Sequence, residues 1–108
     1  MNDISWKNLQ VRQLVNAFKI LDSSNETEAF LRDLLTTEEI MEFARRLETA
    51  RLLTNKAQYK EINKKTGLST ATIARISKWL RGPLGGYRTI LGKLSASQPR
   101  PSVLEKEF

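Results

Sequence analysis

Residues 59–81, YKEINKKTGLSTATIARISKWLR, decide how this chain is read. They predict two short helices joined by a tight turn at Gly67. In the first, Tyr59 and Ile62 mark an apolar face, with Thr66 one turn further on. In the second, Ile73, Ile76 and Leu80 recur at i, i+3 and i+7 and so line one face of a helix. The turn Thr66-Gly67-Leu68-Ser69 needs a residue that tolerates positive φ, and Gly67 supplies it without a Cβ penalty. Leu68 then folds inward, and Ser69 caps the next helix by accepting from a free backbone N–H. Residues 58–81 therefore read as a helix-turn-helix, with the second helix offered to a DNA groove.

A glycine between two amphipathic segments also makes an ordinary helical hairpin, but three further features favour DNA binding. Small polar residues (Thr70, Ala71, Thr72) follow the turn, where an interior helix would carry large apolar ones. Arg75 and Lys78 lie on the side away from Ile73 and Ile76. The third feature is charge. The net +6 is unevenly placed: residues 55–94 hold nine basic side chains against Glu61 alone, while residues 1–35 and 36–54 are each slightly acidic. A nearly neutral front and a strongly basic back half call for an anionic partner.

Composition removes most alternatives. The chain has 108 residues, with neither Cys nor His. Disulfides, thiolate or imidazole metal sites, Ser-His and Cys-His triads and the commonest general base are all excluded. The acidic residues are scattered over helix faces, so no enzyme and no cofactor is expected. Asp3, Lys7 and Asn8 interrupt any signal-peptide core, and no run reaches the ~18 apolar residues of a membrane helix. The expectation is a cytoplasmic protein that makes no membrane contact.

Working outward from the central stretch, one helical domain is predicted over 1–94. Residues 4–22 carry Val11, Leu14, Val15, Phe18 and Leu21 at helical spacing, with Asp3 or Ser5 as the cap. Asn25 with Glu28 resembles a capping box for a second helix, and Thr36 with Glu39 opens a long third one, Thr37 to about Thr54. The buried face of the third helix is expected to be Ile40, Phe43, Ala44, Leu47 and Ala50. The helices of 4–35 are apolar over a wide arc, which predicts a dimer interface. Beyond the helix-turn-helix, Arg81-Gly82-Pro83-Leu84-Gly85-Gly86 breaks the chain. A last helix presents Tyr87, Ile90, Leu91 and Leu94, and residues 95–108 read as a flexible tail with two prolines and no periodicity.

LLTTEE at the head of the long helix, RRLETARLL within it and YKEINKKTGLSTATIARI together resemble the Trp-repressor superfamily, and most closely its YerC/YecD-type branch. The resemblance spans roughly Leu34 to Leu80. It implies an all-α, Trp-repressor-like intertwined homodimer whose N-terminal helices and last helix form the dimer core. It also implies a transcriptional regulator, a repressor, that places the Thr70 helix in the major groove. In tryptophan-sensing members two arginines sandwich the corepressor; they match Arg46 and Arg75, and a threonine at the head of the long helix matches Thr36. The glycine and serine that leave room for the ligand are Ile76 and Trp79 here. No tryptophan corepressor is therefore expected, and Arg46 and Arg75 become a vestigial pair.

The expected DNA-contacting set is Tyr59, Lys60, Ser69, Thr70, Ala71, Thr72, Arg75 and Lys78. Ser69, Thr70 and Thr72 bring hydroxyls to base edges and phosphates, and the methyls of Thr70 and Ala71 suit a thymine methyl. Arg75 suits guanine or phosphate. Tyr59 and Lys60 suit the backbone, with Lys56, Lys64, Lys65 and Lys78 as further phosphate contacts. The competing reading is a helical, dimeric protein-interaction module whose basic face meets an acidic partner.

Overall fold

The computed structural model describes residues 3–97. It contains six helices: α1 (Leu9–Lys19), α2 (Ser24–Leu34), α3 (Thr37–Thr54), α4 (Tyr59–Thr66), α5 (Thr70–Leu80) and α6 (Gly86–Ser97). No strand occurs among the described residues, so the all-α expectation holds. The chain divides into two compact units, Met1–Ile40 and Met41–Phe108.

In the first unit the helices start where local chemistry caps them. α1 begins later than the apolar spacing predicts. Neither Asp3 nor Ser5 caps it; Asn8 does, its Oδ1 accepting from the N–H groups of Gln10 (2.8 Å) and Val11 (3.1 Å). One side-chain carbonyl thereby satisfies two of the orphan donors at the start of the helix. The capping box of α2 is likewise shifted from Asn25/Glu28. Ser23 Oγ accepts from the Glu26 N–H at 3.1 Å, and Glu26 Oε1 reaches back to the Asp22 N–H at 2.7 Å. Asn25 sits inside the helix. The box at Thr36/Glu39 forms as read, with reciprocal bonds of 2.8 and 3.0 Å. Phe18 meets Phe30 edge to face, with centroids 5.6 Å apart. Neither α1 nor α2 buries a residue fully.

The second unit holds the core. Ala50 and Leu52 of α3, Ile62 of α4, Leu68 of the turn and Ile73 and Ile76 of α5 are buried together. Leu53, Ala57, Tyr87 and Leu91 pack on them. The expected buried face of α3 is thus only partly right. Ala50 is buried, but Phe43 is 55% exposed and Ala44 is also exposed. The reason is that α4 and α5 return against the C-terminal half of α3 only, where Thr49, Ala50 and Leu52 are. α3 ends in a Schellman-type cap. The Ala57 N–H donates to Leu52 O and the Lys56 N–H to Leu53 O, with Lys56 left-handed at φ 67°.

α6 continues to Ser97, so Ser95-Ala96-Ser97 are helical rather than the start of a tail. Ser97 Oγ donates to Leu94 O at 3.1 Å, which closes that last turn. The tail expected from 98 to 108 lies outside the described residues.

Candidate nucleic-acid interface

The helix-turn-helix is built almost wholly from local bonds. Gly67 takes the left-handed conformation (φ 77°) and donates its N–H to Asn63 O at 2.8 Å. Thr66 is buried. Its Oγ1 donates to Ile62 O (2.8 Å) and accepts from the Leu68 N–H (3.2 Å), which turns Leu68 into the core. Asn63 Nδ2 donates to Leu68 O at 2.7 Å, closing the corner from the other side. Ser69 then caps α5, its Oγ accepting from the Thr72 N–H at 3.1 Å and its hydroxyl donating to Thr72 Oγ1 at 3.0 Å. With Ile62, Ile73 and Ile76 each fully buried, the two helices are fixed against each other. Whatever face α5 turns outward is presented rigidly.

That outer face carries most of the expected residues. Thr70, Ala71, Arg75 and Lys78 are exposed, and Thr72 is half-buried beside Ser69. Tyr59 and Lys60 are exposed at the start of α4, a helix whose Gln58 cap supplies no side-chain bond. Ala74, outside the expected set, is also exposed in the same stripe, between Thr70/Ala71 and Lys78. Its i+4 spacing from Thr70 was the available signal. Two alanines leave the middle of the helix low, flanked by longer hydroxyl and cationic side chains.

The charges divide into two groups. Lys65 lies 3.7 Å from Glu61, one turn away, which weakens it as a phosphate contact. Arg88, counted in the basic half of the sequence, donates instead to the carbonyls of Leu80 and Gly82. By contrast, none of the ion pairs within 4.0 Å among the described residues involves Lys56, Lys60, Lys64, Arg75 or Lys78. Cations left without a carboxylate are the ones available to phosphate.

The two arginines matched to the corepressor site have different surroundings. Arg46 Nε lies 3.2 Å from Glu42 Oε2, and its charge acts on Tyr87. Burial pushes the Tyr87 phenol above its ordinary value, and Arg46 partly offsets that. Arg75 stands on the exposed face of α5. Trp79 is 43% exposed and forms one wall of an open apolar groove of about 540 Å³, with Leu47, Pro83, Leu84, Tyr87 and Ile90. Among the described residues no acidic cluster could hold a metal ion, and no helix is long and apolar enough to cross a membrane.

Comparison with known proteins agrees with this geometry. The Trp repressor protein family matches residues 9–95. The uncharacterized protein YerC of Bacillus subtilis (strain 168) is 34% identical over 93 residues, covering 86% of this chain and 89% of that protein. The crystal structure of a TrpR like protein from Eubacterium eligens ATCC 27750 superposes with a TM-score of 0.77 at 34% identity, covering 83% of this chain and 93% of that one. The chain belongs to the Trp repressor protein family, a family of helix-turn-helix DNA-binding regulators.

Proposed function

We propose that this protein is a sequence-specific transcriptional regulator, acting as a repressor, and that α5 is its DNA-reading helix. The observation that carries the reading is the outer stripe of that helix. Thr70, Ala71, Ala74, Arg75 and Lys78 are exposed on a rigid support, and Arg75 and Lys78 have no carboxylate partner among the described ion pairs. Thr70, Thr72, Ala71 and Ala74 meet base edges and thymine methyls, and their short side chains favour water-mediated readout. Lys60 and Tyr59 hold the backbone, with Lys56, Lys64 and Lys78 as further phosphate contacts.

The working form is a homodimer in the cytoplasm, with two reading helices one duplex turn apart, roughly 34 Å. Support comes from the apolar surface left open. Trp6, Leu14 and Phe18 in the first unit and Phe43, Trp79 and Ile90 in the second are each more than 40% exposed in the single chain. Apolar surface on that scale marks an assembly face. Tryptophan is not the effector, because Ile76 is fully buried where ligand-binding members keep glycine, and Trp79 stands where they keep serine. No catalytic role is assigned.

Fluorescence anisotropy tests the reading, using duplexes from upstream of the protein's own gene and a random duplex across ~50 to 200 mM salt. Preference for one fragment that survives the higher salt is expected. Lys60→Ala is expected to weaken all duplexes alike and to lower the salt slope by about one unit. Uniform binding that collapses with salt would instead favour the protein-interaction reading, a basic face for an acidic partner.

A further inference from the structure

The corner between α5 and α6 carries an arrangement that DNA contact does not use. The last carbonyls of α5 have no partner within their own helix. Arg88, in the first turn of α6, supplies one: its Nη1 donates to Leu80 O at 2.6 Å and to Gly82 O at 3.0 Å. The guanidinium lies against Gly85, which is buried and left-handed at φ 71°. A Cβ on Gly85 would come within 3.0 Å of Arg88 Nη2. One cation therefore ties the negative end of the α5 dipole to the following turn and to α6. Both hydrogens of Nη1 are committed to these carbonyls, which makes Arg88 unlike Arg75 or Lys78.

We infer that Arg88 is a positioning residue for the reading helix, not one of the cations that meet phosphate. The inference rests on the proposal that α5 reads DNA. α6 is anchored to the core through Tyr87 and Leu91, and Arg88 clasps the C-terminal end of α5 to that anchored helix. The clasp sets the direction in which the Thr70–Lys78 face projects. Recognition groups must be held within roughly 0.5 Å and 10–20° of their working geometry, so a small rotation of α5 degrades base readout before it affects phosphate contacts. In the proposed dimer the same clasp also sets the spacing of the two reading helices.

The test uses the full chain with Arg88→Gln, Arg88→Lys and Gly85→Ala. Binding to the fragment the wild type prefers and to a random duplex is measured across ~50 to 200 mM salt, beside melting followed by circular dichroism. Arg88→Gln and Gly85→Ala should each lower the preference for the selected fragment on the order of tenfold, the effect of about one misplaced base contact, with the salt slope unchanged. Arg88→Lys should recover part of it, since an ammonium can reach one carbonyl. Gly85→Ala leaves every charge in place but also forces a left-handed alanine at φ 71°, so Arg88→Gln read against Arg88→Lys is the decisive pair. Equal weakening on both duplexes with a slope reduced by roughly 0.9 would make Arg88 a phosphate contact and overturn the inference. A lower melting temperature with unchanged preference would also overturn it. A wild type with no preference overturns the DNA-reading proposal and this inference together, whereas a selective wild type with unaffected variants overturns the inference alone.

Discussion

The two units contain helices of similar amphipathic character and treat them differently. In residues 41–97, the apolar faces of α4 and α5 close on the end of α3, and Ile62, Ile73 and Ile76 lose all contact with solvent. In residues 3–40, α1 and α2 have equally clear apolar stripes, yet Leu14 remains 42% exposed, Phe18 44% and Leu34 43%. Periodicity tells which side of a helix is apolar; it does not tell whether the same chain supplies the surface that covers it. The isoleucines of the helix-turn-helix are covered within one chain, whereas the apolar stripes of the N-terminal unit stay open to solvent.

The largest expected effect probes the first half of that contrast. Ile73→Ala should cost roughly 2–5 kcal/mol, since the side chain is fully buried in a core of only a few residues. Leu14→Ala, at a half-exposed site, should cost about 1 kcal/mol or less in the isolated chain. Urea unfolding at two protein concentrations separates the cases. A Leu14→Ala loss as large as that of Ile73→Ala, together with stability that rises with concentration, would locate the missing cover in a second copy. A large loss independent of concentration would break the contrast.

Gly67→Ala comes next. Nothing lies within 4 Å of the position a Cβ would take, so the entire cost is that of a left-handed alanine, about 1–2 kcal/mol. Denaturant melts measure it; no loss would mean that the corner relaxes to another conformation. The smallest effect has the opposite sign. Thr49 is fully buried and its Oγ1 has no hydrogen-bond partner among the described residues. Thr49→Val keeps the shape and removes the orphaned hydroxyl, so stability should rise by about 1 kcal/mol. A fall would mean that the hydroxyl is satisfied in solution, by water or by a second chain.

Much of the helix-turn-helix was legible because its determinants are local. Gly67, the Ser69 cap, the inward Leu68 and the Ile73/Ile76 stripe are each specified within a few residues, and each forms as read. The capping box at Thr36/Glu39 succeeded for the same reason. The errors fall where several local solutions compete or where the answer lies outside the segment. Asn8, Ser23, Asn25 and Ser5 are all chemically able to cap, and only the backbone path chooses between them. Phe43 and Ala44 match the helical period of a buried face, but no element of the unit reaches them. Arg88 looks like any surface cation in the sequence, and only the folded corner brings it to Leu80 O.

The sequence by itself determined the helical class, the position of the turn, the outward stripe of α5 and the concentration of positive charge around it. These follow from period, capping and composition, all of which act over one or two turns of chain. The tertiary structure decided which half of α3 is buried, which cations keep a free charge and which one becomes a clasp. Those outcomes depend on carbonyls and apolar faces brought together from distant positions, and neither spacing nor propensity encodes that meeting.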